Sequence, residues 1–463
     1  MAKETIKLTD LIPQVVNDVE ALRATFGAFE THSSQQAELS KVQEVLTELV
    51  QRLDLDKPYF HPSYAAQMLK PPHAVAVAAY LATMIINPNN HSQDASQATT
   101  PMEREVMREL TAMFEFPEDS LGHLTWSGTT ANLEALWVGR ELNPGKAIAH
   151  SADAHYTHTR MAEVLDVESI AVSVDALGRM SLTDLEEKLK TGKIGTIVAT
   201  LGTTGLGAVD PLADIIVLAN RYEARVHVDT AYGGFFKLIQ DDLEPEAARH
   251  YAAIKHADSV VVDPHKQGLQ PYGCGAVLFK DVSVGRFYKH DSPYTYFTSA
   301  ELHFGEIQLE TSRAGASAAA FWATTRVFPL TRDGLGSILA AGYRAAQNWH
   351  TLLEESDVLQ PYQKPELDII AYLPRTNSMS EIDRLSQAIF LQTEQAPRTE
   401  QIHLATYMVK PNALFAHGIN VETDLAKARI LRSTLMKPEH ETWVPILHKK
   451  IEDTARKLMK EKA

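Results

Sequence analysis

Five short apolar runs between residues 71 and 330 constrain this chain more than any other feature. They are Ala147-Ile148-Ala149, Thr196-Ile197-Val198-Ala199, Arg225-Val226-His227-Val228, Ser259-Val260-Val261-Val262 and Ala276-Val277-Leu278-Phe279. Each is too short for a helix, and apolar residues without alternation imply burial on both faces. That is the mark of strands in a mostly parallel sheet. Helix-period segments separate them: Thr130 to Glu141, Leu182 to Lys190 and Pro211 to Tyr222. Such alternation predicts a doubly wound α/β fold, in which ligands collect beyond the carboxyl ends of the strands.

The flanks read differently. Leu39, Val42, Val45, Leu46, Leu49 and Val50 recur at helical spacing, so residues 1–70 are expected to form a helical arm that packs on a second subunit. Residues 335–463 offer two helices (338–355 and 380–393) and the strand-like stretches Leu367 to Leu373 and Leu425 to Leu435. These predict a smaller α+β domain. With 463 residues, too many for one core, the expected units are 1–70, 71–334 and 335–463. The apolar run Ala74 to Ile86 is too short to span a bilayer and reads as a core helix.

A net charge of −15 argues against nucleic-acid and anionic-membrane partners. It leaves room for an anionic cofactor held by a few local donors. The single cysteine, Cys274, excludes an internal disulfide, and no metal site is expected. Met1 to Thr5 lack the apolar core of a signal peptide, which gives a cytoplasmic expectation.

The strand at 259–262 runs into Asp263-Pro264-His265-Lys266. A lysine at a dry strand end is expected to have a lowered pKa, and a neutral amine can form an imine. Read alone, His265-Lys266 is equally a solvated strand end. Upstream, Arg225-Val226-His227-Val228-Asp229 ends an apolar strand in a carboxylate, which is costly unless paired. A protonated heterocyclic nitrogen is a suitable partner, and a helix N-cap is the plainer alternative. The segment Gly122-His123-Leu124-Thr125-Trp126-Ser127-Gly128-Thr129-Thr130-Ala131-Asn132 reads as a small-residue loop opening a helix, an anion site if its amides are free. His155 follows the strand at 147–149, where its ring could stack on a flat ligand, and Thr203-Thr204 follow the strand at 196–199.

In this order the four motifs (the 122–132 segment, His155, His227-Val228-Asp229 and Asp263-Pro264-His265-Lys266) resemble the group II amino-acid decarboxylases, which depend on pyridoxal 5′-phosphate (PLP). The similarity runs from Phe60-His61-Pro62 to Arg432-Ser433-Thr434-Leu435-Met436. Val262 to Gly268 and Ser292-Pro293-Tyr294 are most similar to the microbial tyrosine decarboxylases.

The resemblance implies the aspartate-aminotransferase-like fold type I, a homodimer, and decarboxylation of an L-amino acid to the amine and CO₂. Lys266 would hold the cofactor as a Schiff base. Asp229 would pair with its ring nitrogen, with Ala231 under one ring face and His155 stacked on the other. Gly128, Thr129 and His265 would surround the phosphate. Thr204 would lie near the ring's phenolic oxygen or the substrate carboxylate, and Tyr294 (or its neighbour Tyr296) would return the proton.

The chain departs from the family where it reads Trp126-Ser127-Gly128-Thr129-Thr130, where Thr230 replaces a common Ala, and where Asp263 replaces an occasional Asn. Tyrosine or another aromatic amino acid is the leading substrate. An acidic one would need a basic residue such as Arg313 or Lys410. Another PLP-dependent carbon–carbon lyase, or a binding subunit that has lost catalysis, is the remaining alternative.

Overall fold

The computed structural model describes residues 4–289 and 307–461. Seven strands form the central sheet: β1 (Leu121–Thr125), β2 (Ala147–Ser151), β3 (Ser169–Val172), β4 (Ile194–Thr200), β5 (Arg225–Thr230), β6 (Ser259–Val262) and β7 (Gly275–Phe279). Their order is β1-β7-β6-β5-β4-β2-β3. The five strands from β3 to β6 are parallel neighbours. β7 runs antiparallel to both β6 and β1. Only turns join β6 to β7, so there is no crossover helix to bring the chain back in parallel.

Every residue of β2, β4, β6 and β7 is buried, as the continuous apolar runs require. The expected loop at 122–132 is corrected by this sheet. Its first residues are the edge strand β1, and the helix Gly128–Leu142 starts directly after Ser127, whose Oγ caps the Thr130 amide. Gly122 and His123 hide that strand in the sequence, and only pairing with β7 defines it.

A second sheet holds β8 (Leu359–Pro361), β9 (Ile369–Pro374), β10 (Ala405–Val409) and β11 (Ala428–Thr434). Its order is β10-β11-β9-β8, antiparallel throughout. Helices Leu335–Glu355, Met379–Gln395 and His440–Lys460 cover it, with Trp349, Leu385 and Val444 in the shared core. The first of these helices belongs to two cores. Leu335, Leu339 and Tyr343 pack with the large sheet, and Ala346, Trp349 and Leu353 with the small one.

Arg432, buried on β11, ties the sheets together. It donates to the carbonyls of Thr204 (2.6 Å), Gly205 (2.6 Å) and Ala66 (3.0 Å), so the turn after β4 is held by the small sheet.

The helix Leu39–Leu53 buries no residue, and its apolar face from Leu39 to Leu53 stands in solvent. The stretch Ala74–Ile86 is a helix, but not the core helix expected from its composition. Only Ala76 and Ala78 are buried, while Met84 and Ile86 are about half exposed, at 50% and 54%. It packs against helices Gly315–Val327 and Leu8–Ala24 on one side only. Among the described residues no helix is long and apolar enough to cross a membrane.

Candidate active site

The carboxyl ends of β2, β4, β5 and β6 open onto one cavity of about 170 Å³. Gly128, Thr129, His155, Thr204, Asp229, Ala231, His265 and Lys266 all line it. Parallel strands deliver residues far apart in sequence to one edge, which is why four separate motifs meet. Tyr294 and Tyr296 lie outside the described residues.

Lys266 occupies the turn after β6. Its Nζ is 3.1 Å from Asp263 Oδ2, and the side chain is 25% exposed. His265 Nε2 is 3.5 Å from the same oxygen, and its ring lies against Tyr272 at 4.7 Å between centroids. Burial pushes the His265 imidazole below its ordinary value. Asp263, noted in the sequence only as a departure, is therefore a buried carboxylate shared by two neighbours. The helix start fits around it. A Cβ on Gly128 would fall 2.5 Å from Asp263 Oδ2, so only glycine permits this approach.

Asp229 ends β5 with both oxygens held. His158 Nε2 donates to Oδ2 at 2.8 Å, and the Ala231 amide donates to Oδ1 at 3.0 Å. Burial raises this carboxyl. The His158 bond and charge, the Ala231 amide and the Lys266 charge outweigh it and hold the group well below the usual carboxylate range. An anion fixed here is ready for a cationic partner.

His227, two residues earlier, is wedged between Asn132 Oδ1 and Ser259 Oγ, both at 2.9 Å. Burial pushes it down to about 3, so it stays neutral. Asn132 in turn donates to the Gly128 carbonyl at 2.8 Å and links the helix start to β5. His155 is half-buried, with Nδ1 2.6 Å from Thr157 Oγ1 and its ring 4.2 Å from that of Tyr156.

The two basic residues considered for an acidic substrate lie elsewhere. Arg313 donates to both oxygens of Glu103, at 2.8 and 3.2 Å. Lys410 borders a different cavity, with Asp153 and Tyr407. The sequence reading also missed His158, Asn132 and Tyr232. No local signal marked His158: it stands in the first turn of helix Thr157–Val164, and its partner is 71 residues away.

The chain matches the family model for the pyridoxal-dependent decarboxylase conserved domain over residues 28–372. It is 26% identical over 452 residues to an L-tyrosine decarboxylase of Enterococcus faecium, covering 74% of each chain. It is 32% identical over 318 residues to an L-2,4-diaminobutyrate decarboxylase of Rhizobium meliloti, covering 64% of this chain and 60% of that one. A solved Oryza sativa TDC with PLP and tryptamine shares the fold, with a TM-score of 0.80 at 16% identity over 99% and 100% of the two chains. Mouse CSAD does so with a TM-score of 0.77 at 18% identity over 97% and 98%.

The cavity suits the cofactor that such a family requires. It presents an amine, an ionised buried carboxylate and a glycine-lined helix start. Thr200 Oγ1 and His265 Nδ1 are buried and lack a protein partner among the described residues. Unpaired buried polar atoms around a cavity are what a polar ligand would satisfy. With the family model matching most of the chain and a site of this chemistry, the chain belongs to the pyridoxal-dependent decarboxylases, carboxy-lyases of fold type I that act on amino acids with PLP.

Proposed function

We propose that this protein decarboxylates an L-aromatic amino acid, with L-tyrosine the leading substrate, and releases the amine and CO₂. The observation that carries this reading is the set of exposed aromatic rings around the site. Trp126 adjoins Ser127 on the cavity wall, and Tyr156 and Tyr272 lie against the wall residues His155 and His265. Planar rings favour a planar apolar side chain. Among the described residues, Lys266 is the only lysine and no arginine lines the cavity, which disfavours a second carboxylate on the substrate. The Enterococcus relatives point the same way. The diaminobutyrate and aspartate decarboxylases among the relatives define the alternative.

PLP, when bound, supplies an electron sink for the bond between Cα and the carboxylate. Lys266 would hold the cofactor through its amine. Asp229 holds the counter-charge for the ring nitrogen. His155 would stack on the ring, while Gly128, Thr129 and His265 would hold the phosphate. Thr204 would lie near the ring's phenolic oxygen or the substrate carboxylate. Tyr294 gives Cα the proton that replaces CO₂, a contribution of about 10²–10⁴-fold.

A screen of the common L-amino acids for CO₂ release tests the substrate. The expected result is the highest kcat/KM for tyrosine or another aromatic amino acid, with one amine formed per CO₂. Faster turnover of aspartate, glutamate or 2,4-diaminobutyrate would overturn the assignment. In the same assay Tyr294→Phe should lose amine and gain aldehyde; if it stays silent, Tyr296 becomes the candidate.

The bare apolar face of helix Leu39–Leu53 supports a homodimer, since monomers seldom leave such a stripe uncovered. Sedimentation should give twice the chain mass. A fully active monomer would contradict this.

A further inference from the structure

His158 stands in the first turn of helix Thr157–Val164, and its ring reaches the end of β5. Both it and Asp229 are buried, and their 2.8 Å contact fixes one carboxylate oxygen while the Ala231 amide fixes the other. The carboxylate cannot rotate without breaking one of these bonds. The second ring nitrogen of His158, Nδ1, is buried and has no partner among the described residues. A proton there would be a buried donor with nothing to accept it. Nε2 therefore carries the proton given to Asp229, and this bond orients the carboxylate.

We propose that His158 is a positioning residue which sets the direction of the Asp229 carboxylate. This rests on the reading of Asp229 as the partner of the cofactor's ring nitrogen. The other groups facing Asp229 cannot substitute. His155, from the loop after β2, is bonded to Thr157, His227 is bonded to Asn132 and Ser259, and Lys266 is paired with Asp263. Removing the His158 bond leaves one oxygen of a buried anion without a donor.

The test compares wild type, His158→Phe, His158→Gln, Asp229→Asn and the His158→Phe/Asp229→Asn double variant. Three quantities are read: the dissociation constant of PLP, the pH dependence of its visible absorption, and kcat. His158→Phe is expected to weaken PLP binding and lower kcat by roughly 10- to 100-fold, the scale of a lost hydrogen bond to a buried charge. It should also shift the absorption titration. His158→Gln, whose amide N–H can reach Asp229, should recover most of the loss. The double variant should be no worse than Asp229→Asn, because the two residues act as one unit.

A silent His158→Phe beside a damaging Asp229→Asn overturns the inference alone, as do losses that multiply in the double variant. A silent Asp229→Asn overturns the reading of Asp229 and the inference with it. If His158→Phe does not fold, His158→Asn takes its place, since its shorter amide falls short of Asp229.

Discussion

Lys266→Ala is expected to lower turnover by about 10³-fold or more, the scale on which an enzyme loses its nucleophile. The variant should fold normally. Lys266 is part-exposed, and Asp263, its ion-pair partner at 3.1 Å, keeps the His265 imidazole at 3.5 Å. Purified wild type should be yellow, and the variant should lose that colour on dialysis. PLP added back should bind without a covalent bond and without restoring the rate. Turnover within tenfold of wild type would remove Lys266 from the chemistry.

Asp229→Asn should still bind PLP, though more weakly, and lower kcat by about 10²–10³-fold, as expected when a fixed counter-charge is removed from a buried site. The amide also fits its surroundings poorly. His158 Nε2–H and the Ala231 N–H both point at the side chain, and Asn can accept at one end only. The resulting clash of donors should destabilise the apo-protein by about 1–3 kcal/mol.

The effect should depend on pH. Asp229 sits below its ordinary value of 3.8, so its contribution to stability is present above that pH. It is lost as acid protonates the folded state. The stability gap between wild type and Asp229→Asn should therefore be widest near neutrality and close on acidification. Unchanged turnover with full cofactor content would place the counter-charge elsewhere.

The parts of this account legible in the sequence share one physical cause. β4, β5 and β6 are buried on both faces, so each appears as an unbroken apolar run, and the residue that ends it stands out. The places of Lys266 and Asp229 at the cavity were readable for that reason, and that of His155 because it follows β2. Elements that owe their form to a neighbour were not readable. β1 carries Gly122 and His123 and is a strand only beside β7. β3 is a four-residue edge strand, and β10 alternates between buried and exposed residues. Composition alone assigned Ala74–Ile86 to the core, because a part-exposed apolar helix has the same composition as an interior one.

The site shows the same limit. His158 and Asp229 are 71 residues apart, and nothing in either local sequence announces the contact. Asp263 looked like a simple replacement until the fold placed Gly128, His265 and Lys266 around it.

Two other lysines make the central assignment sharply testable. Burial pushes Lys437 down to about 7 and Lys70 to about 8, so both are better supplied with free amine than an ordinary lysine. Neither lines the cavity. Lys437 Nζ donates to the Tyr64 carbonyl at 2.8 Å, and Lys70 Nζ to Gln267 Oε1 at 3.0 Å. If amine basicity alone selected the attachment point, one of them would carry the cofactor. If placement beside Asp229 and the helix start selects it, Lys266 does. Borohydride reduction of the yellow holoenzyme, followed by peptide mass mapping, decides between them. The account predicts a single pyridoxyl adduct, on the peptide that contains Lys266. An adduct on Lys70 or Lys437, or a Lys266→Ala protein that is still labelled, would contradict it.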